Sequence, residues 1–174
     1  ELLSRAWVAN QHRARAEISK RWLAEAGTEG LIALSGAASG ELGQALGAGN
    51  DAQAEIIARQ WAKLFPGRYY IELQRAGFAQ GEALVARSVT LAARLKLPVV
   101  ATHPVQFLEK DDFTAHEARV CIAQGYQLGD QRRPRPFTQE QYFKTQGEMA
   151  ELFGDIPQAL ENAVEIARRA SLSI

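Results

Sequence analysis

Three short apolar runs, set between segments of helical period and joined by no hairpin turn, constrain this chain more than any other feature. Residues 30–35 (GLIALS), 69–74 (YYIELQ) and 97–102 (LPVVAT) are rich in β-branched or aromatic side chains and bounded by Gly or Pro. That is the punctuation of buried strands. Between them, residues 52–65 place Ile56, Ile57, Trp61, Leu64 and Phe65 on one side of a helix. Residues 81–95 do the same with Leu84, Val85, Val89, Leu91, Ala92 and Leu95. No Asn-Gly or Asp-Gly turn links two runs, so the order strand, helix, strand, helix, strand predicts parallel βαβ units with right-handed crossovers. The fold class is α/β.

The flanks read as helices. Residues 2–8 form one, and residues 18–26 a second that ends at Gly27. Asp111-Asp112 is placed to cap a helix running through Val120 and Ala123 to Gly125. Residues 127–137 (QLGDQRRPRPF) are the clear loop, and Thr138 opens T-Q-E-Q as a helix start for a helical segment over 138–172. Met149, Leu152 and Phe153 make an apolar cluster, and Asp155-Ile156-Pro157 caps the last helix with proline in its first turn. Parallel sheets need cover on both faces and usually more than three strands. Together with a start at Glu1-Leu2-Leu3 that lacks an initiator Met, this leads to the expectation of a piece of something longer, one partial domain over 1–174.

Composition removes whole classes. Twenty Lys and Arg balance twenty Asp and Glu, which excludes a chain-wide basic footprint for nucleic acid or anionic membrane but not a local patch. A single cysteine excludes an internal disulfide framework and a thiolate zinc cage, and suits a reducing cytoplasm. No apolar run approaches the roughly 18 residues of a membrane span.

Residues that follow the strands are the places to look for chemistry in a parallel sheet. After the first comes Ser35-Gly36-Ala37-Ala38-Ser39-Gly40-Glu41. It reads either as a turn presenting N–H groups to a phosphate or as a tight turn capped by Ser39. It has neither the Lys-Ser/Thr of a P-loop nor Rossmann glycine spacing. In the second strand Glu72 is a candidate catalytic carboxylate or a structural hydrogen-bond acceptor. His103 follows the third strand, and His116 lies thirteen residues on. With Asp111, Asp112 and Glu117 these match no metal-ligand spacing. Cys121 lies in the apolar stretch Val120-Cys121-Ile122 as a small hydrophobe. Arg132, Arg133 and Arg135 are candidate phosphate contacts or the cations of a solvated loop. No catalytic constellation is complete.

The phrases GLIALSGAASGEL, FPGRYYIELQRAG, LPVVATHPVQFLEKDDFTAHEARVCIAQG, RPRPFTQEQYFK and EMAELFGDIPQALENAVEIARR closely resemble the alpha subunits of bacterial replicative DNA polymerases (the C family, DNA polymerase III) over nearly the whole chain. The similar region there is the N-terminal PHP (polymerase and histidinol phosphatase) domain. The resemblance implies the later portion of a seven-stranded β/α barrel, incomplete here, beyond the segment that carries the family's His-x-His motif. The polymerase palm would lie further along the chain.

Metal-binding members typically read L-S-G-C after one strand and N-D-x-H-Y after another. Here Ala37 stands at the cysteine position, Pro104 at the aspartate and Gln106 at the histidine, with His103 at the asparagine. The resemblance therefore implies no metal and no cofactor in this piece. It implies a scaffold that helps dock the proofreading exonuclease subunit, epsilon, among other replicase subunits. The intact protein would copy DNA by nucleotidyl transfer with Mg²⁺ at a distant polymerase site, in the cytoplasm and away from membranes. The alternative implied is a metal-dependent PHP phosphoesterase or 3′–5′ exonuclease, completed by residues outside this chain. An unclosed ring would also expose apolar surface and sheet edges, leading to self-association.

Overall fold

The computed structural model describes residues 2–12 and 15–170. Its centre is a parallel sheet of β3 (Ala33–Leu34), β4 (Tyr69–Gln74) and β5 (Val99–Thr102), in that spatial order. Ala33 registers with Tyr69 and Leu34 with Tyr70, while Ile71 to Gln74 register with Val99 to Thr102. The first run is thus mostly not strand. Its regular part is cut short between Gly30 (φ 74°) and Gly36 (φ 79°), both in the left-handed region where a residue without Cβ turns the chain at no steric cost.

Two helices connect the strands in series, α3 (Glu41–Gly47) and α4 (Asp51–Leu64), before α5 (Gly81–Leu95) makes the second crossover. The Asn50 side chain starts α4 by accepting from the Gln53 N–H at 3.1 Å. Lys96, left-handed at φ 54°, ends α5. Tyr69, Ile71 and Leu73 alternate along β4 into a core with Ile57, Ala58, Val85, Leu91 and Ala92. Ile71 is fully buried, worth about 1.5–3 kcal/mol of apolar transfer. The other side of the strand carries Tyr70, Glu72 and Gln74, which prepares a polar site above a dry core.

Before the sheet stand α1 (Leu2–Ala9), β1 (Gln11–His12), β2 (Arg15–Ala16) and α2 (Lys20–Ala26). The antiparallel pairing of β1 with β2 is absent from the sequence reading, because four exposed polar or small residues give no alternation to detect. After β5 a 3₁₀ turn leads into α6 (Phe113–Gln124), which Gly125 ends in the left-handed region. The capping here is a box of Glu109 and Asp112, so the expected Asp111-Asp112 cap is half right. Ile122 is 83% exposed, which corrects the expected Val120-Cys121-Ile122 apolar face, although Cys121 itself is buried.

The helical segment expected over 138–172 does not begin at Thr138. The Thr138 hydroxyl donates to the Ala76 carbonyl and its N–H to Gln141 Oε1, and Tyr142 bridges to Phe107. These long-range partners hold residues 138–145 as a turn and an extended stretch. Helix begins instead at α7 (Gln146–Leu152), where Thr145 and Glu148 form a reciprocal capping box. Then α8 (Pro157–Arg169) opens on its expected proline. It packs along β5, and Asn162 Nδ2 donates to the Val99 carbonyl at 2.8 Å, covering part of that strand's outer edge. Residues 171 and 172 of the expected segment lie outside the described residues.

Candidate functional site at the strand ends

A cavity of about 740 Å³ opens at the carboxyl ends of the three parallel strands, with α3 and α5 as walls. Ala37, Glu72, Gln74, Pro104, Gln106 and Gln141 line its polar end. The fold thereby brings together the residues singled out after each strand, Ala37 from the first, Glu72 within the second, and Pro104 and Gln106 after the third.

The turn after β3 is built by close backbone approach. A Cβ on Gly40 would stand 1.8 Å from the Ser35 carbonyl oxygen, and one on Gly43 would stand 1.8 Å from that of Ala37. The glycines of SGAASGELG therefore let α3 fold down on the turn. Ser39 and Gly40 both donate their N–H groups to the Gly36 carbonyl, and α3 takes Gly40 as its N-cap rather than the expected Ser39. The Gly36 N–H donates to Glu72 Oε2 at 3.1 Å. A carboxylate of the protein thus already occupies the place where a phosphate would have been received, which favours the tight-turn reading.

Glu72 is held from three sides. Besides Gly36, Gln74 Nε2 donates to its Oε1 at 3.2 Å and the Thr102 hydroxyl donates to the same oxygen at 2.5 Å. Its backbone N–H donates to Ser35 Oγ at 2.9 Å. Gln141, almost fully buried, ties two loops together: its Nε2 donates to the Pro104 carbonyl at 3.0 Å, and its own carbonyl accepts from the Gln106 N–H at 2.8 Å. Gln74 could have been placed beside Glu72 from the period-two alternation of YYIELQ. Nothing in the sequence signals Gln141.

His103 does not line the cavity. Its Nε2 meets the Glu140 carbonyl at 2.8 Å, which makes it the N–H of a neutral ring, and Nδ1 is buried with no partner. Burial holds its pKa below the ordinary value. Glu140 is held ionised by Lys110 and Lys144. Nearby, Tyr142 and Thr145 bring Glu148 down to about 2.

A second polar group lies apart, on α6. Arg133, its side chain 6% exposed, donates both terminal nitrogens to the Glu117 carboxylate at 2.8 Å and its Nε to the Leu128 carbonyl at 3.1 Å. As a phosphate contact Arg133 is therefore corrected: its guanidinium is occupied and buried. Arg132 is exposed and closes on Asp130, while Arg135 stays exposed. His116 is buried against Phe107 and Phe137, with Nδ1 accepting from Arg119 at 3.2 Å. Its pKa is lowered by burial first and by Arg119 second.

Parallel strands that bury a strand-end cavity agree with what the sequence comparisons return. Residues 1–76 match the model of the PHP domain, within a mixed α/β fold built on a parallel sheet. Along its whole length the chain is 48% identical to the DNA polymerase III subunit alpha of Pseudomonas aeruginosa and 51% to that of Neisseria meningitidis. Over 99% of its length it is 42% identical to that of Escherichia coli. Over its whole length the chain is thus similar to part of these DNA polymerase III alpha subunits, and it spans 15% of the length of these relatives.

A tightly held transition metal would need strong donors at this cavity, and the residues present do not fit one. Ala37 offers a methyl group, Pro104 a pyrrolidine ring and Gln106 a neutral amide. Among the described residues no three of His, Cys, Asp and Glu come together as a cluster. Nor is any helix among them long and apolar enough to cross a membrane.

Proposed function

We propose that this chain is the later part of a PHP barrel within a replicative DNA polymerase alpha subunit, and that it acts as a non-catalytic scaffold. What supports the reading is the donor-poor lining of the strand-end cavity, where the one carboxylate, Glu72, is already engaged by Gly36, Gln74 and Thr102. Catalytic metal chemistry needs an open coordination site on a fixed set of ligands, and this lining supplies neither. The barrel part of the reading is supported by the strand edges. Leu34 is 41% exposed on β3, which among the described residues pairs on one side only. A parallel strand with a free edge calls for a neighbour, and further strands of a longer chain would provide it.

In the whole protein, the chemistry would be DNA-directed DNA synthesis in the cytoplasm, with Mg²⁺ held at a polymerase site elsewhere. The scaffold would carry the proofreading exonuclease, epsilon. Cross-linking with mass spectrometry on the complete alpha subunit bound to its exonuclease tests this. Exposed Lys20, Lys63, Lys96 and Lys110 offer reactive amines, and cross-links from the exonuclease should include this segment. Cross-links confined to other parts of the polypeptide would overturn the docking role. Metal-dependent phosphoester cleavage that survives loss of the polymerase site would favour the phosphoesterase reading instead.

A further inference from the structure

We infer that the strand-end cavity binds an uncharged, flat nitrogen heterocycle of the nucleobase type, in the form of a free nucleoside. The inference goes beyond the scaffold reading and shares with it the donor-poor lining. At about 740 Å³ the cavity has the size of a small-molecule site. One polar group in its wall is nearly buried and unspent. Ser88, on α5, is 4% exposed, and its hydroxyl makes no hydrogen bond among the described residues. A helical serine or threonine often returns its hydroxyl to the carbonyl one turn back. Thr90, on the same helix, does so to Ala86 at 2.9 Å. Ser88 does not, and it keeps both a donor and an acceptor for an occupant of the cavity.

The rest of the lining selects that occupant. Gln80 and Gln106 bring amides with no side-chain partner among the described residues. A glutamine amide sets an N–H donor beside a carbonyl acceptor, the complement of a nucleobase edge. Phe78 and Phe137 add aromatic surface from two different loops. Phe137 is steadied by an edge-on contact with the His116 ring, centroids 4.7 Å apart. Flat rings stack well on such side chains. Charge is disfavoured at both signs. Arg87 of the lining is engaged by Asp51 at 2.7 Å, so a phosphate finds that guanidinium taken. The oxygens of Glu72 accept from Gly36, Gln74 and Thr102, which leaves a cation little to grip, while the carboxylate repels an anion. A purely hydrocarbon ligand would strip water from the Ser88 hydroxyl without replacing it.

The test is saturation-transfer NMR on the complete alpha subunit, with the polymerase site filled by a chain-terminated primed template and its matching nucleotide. Adenosine, guanosine, cytidine and thymidine are the probes, and at least one should receive saturation from the protein. Ser88→Ala and Gln106→Leu should each weaken that nucleoside about fivefold, the loss of one hydrogen bond apiece, with melting temperatures unchanged. Its 5′-monophosphate should bind no tighter, and benzoate, a charged ring, should not bind. Four silent nucleosides overturn this inference alone, as does binding that both substitutions leave intact. A preference for the monophosphate, or binding of benzoate, would make the cavity an anion site and overturn it too. A metal ion held in the cavity, found by elemental analysis, would overturn the scaffold reading and this inference with it.

Discussion

The turn after β3 and the segment after β5 leave the same end of the same sheet, and they are held in opposite ways. Residues 35–43 are packed backbone on backbone: glycines at 40 and 43 admit contacts that no Cβ would allow, and the carboxylate of Glu72 satisfies the Gly36 N–H. Residues 103–145 have little regular structure apart from α6, and side chains hold them. Arg133 clasps Glu117, Lys110 and Lys144 clasp Glu140, and Gln141 bridges two loops. Both histidines with a buried, partnerless ring nitrogen, His103 and His116, fall in this second region. A steric lock is indifferent to pH and salt. A lock of charges and neutral imidazoles is not.

The contrast can be broken by substitution, and the largest effect should come from the steric side. Gly43→Val would drive its Cβ into the Ala37 carbonyl, and urea unfolding should show a loss above about 3 kcal/mol because backbone must move. Next, Arg133→Ala leaves Glu117 on α6 without its cation partner. The expected loss is about 3 kcal/mol, at the low end for buried pairs, since Glu117 keeps 18% of its side chain exposed. Arg132→Ala, in a solvated pair, should stay within about 0.5 kcal/mol. If the two arginines cost the same, the distinction between clasp and surface fails.

Acid should separate the regions further. His103 and His116 have pKa values lowered from 6.5, so the unfolded chain takes up their protons first. Their contribution is complete above pH 6.5 and is lost as pH falls toward the folded values. Glu117 and Glu140 are lowered from 4.5, and their contribution is lost as pH falls below that and through their folded values. Thermal melting should therefore decline below about pH 6.5 and more steeply below about 4.5. His116→Gln should flatten the upper part of that decline. A melting temperature level from pH 7 to 5 would show that the histidines are solvated after all.

Two smaller changes sharpen the account. Glu72→Gln leaves shape intact but weakens the charge-assisted bonds from Gly36 and Thr102, at about 1 kcal/mol. Gly47→Ala, in the same helix as Gly43 but facing open space, should be neutral or stabilising by up to about 1 kcal/mol. Destabilisation there would mean that the two glycines of α3 are not distinguished by contact.

What the sequence revealed follows the same division. The β4 run and the α4 and α5 helices were legible because apolar periodicity is a local signal, and Tyr69, Ile71 and Leu73 carry it plainly. The convergence of Ala37, Pro104 and Gln106 on one cavity was legible too, since each follows one of the strand runs. Gly36, Gly40 and Gly43 were ambiguous: phosphate cradles and tight turns both need glycine, and only the approach of Ser35 and Ala37 oxygens decides between them. Thr138 misled because its hydroxyl is claimed by Ala76, sixty-two residues away, a partner no local pattern contains. The T-x-x-E box at Thr145 and Glu148 was present to be read and marks the true helix start. Arg133 looked like its neighbours because the three arginines differ only in what the fold buries.

The most direct measurement is elemental analysis of the complete alpha subunit after exhaustive dialysis against metal-free buffer. With Ala37, Pro104 and Gln106 at the strand ends, zinc, manganese and iron should all remain well below one equivalent. A stoichiometric ion that disappears on Glu72→Ala would contradict a scaffold and put a working metal centre in its place.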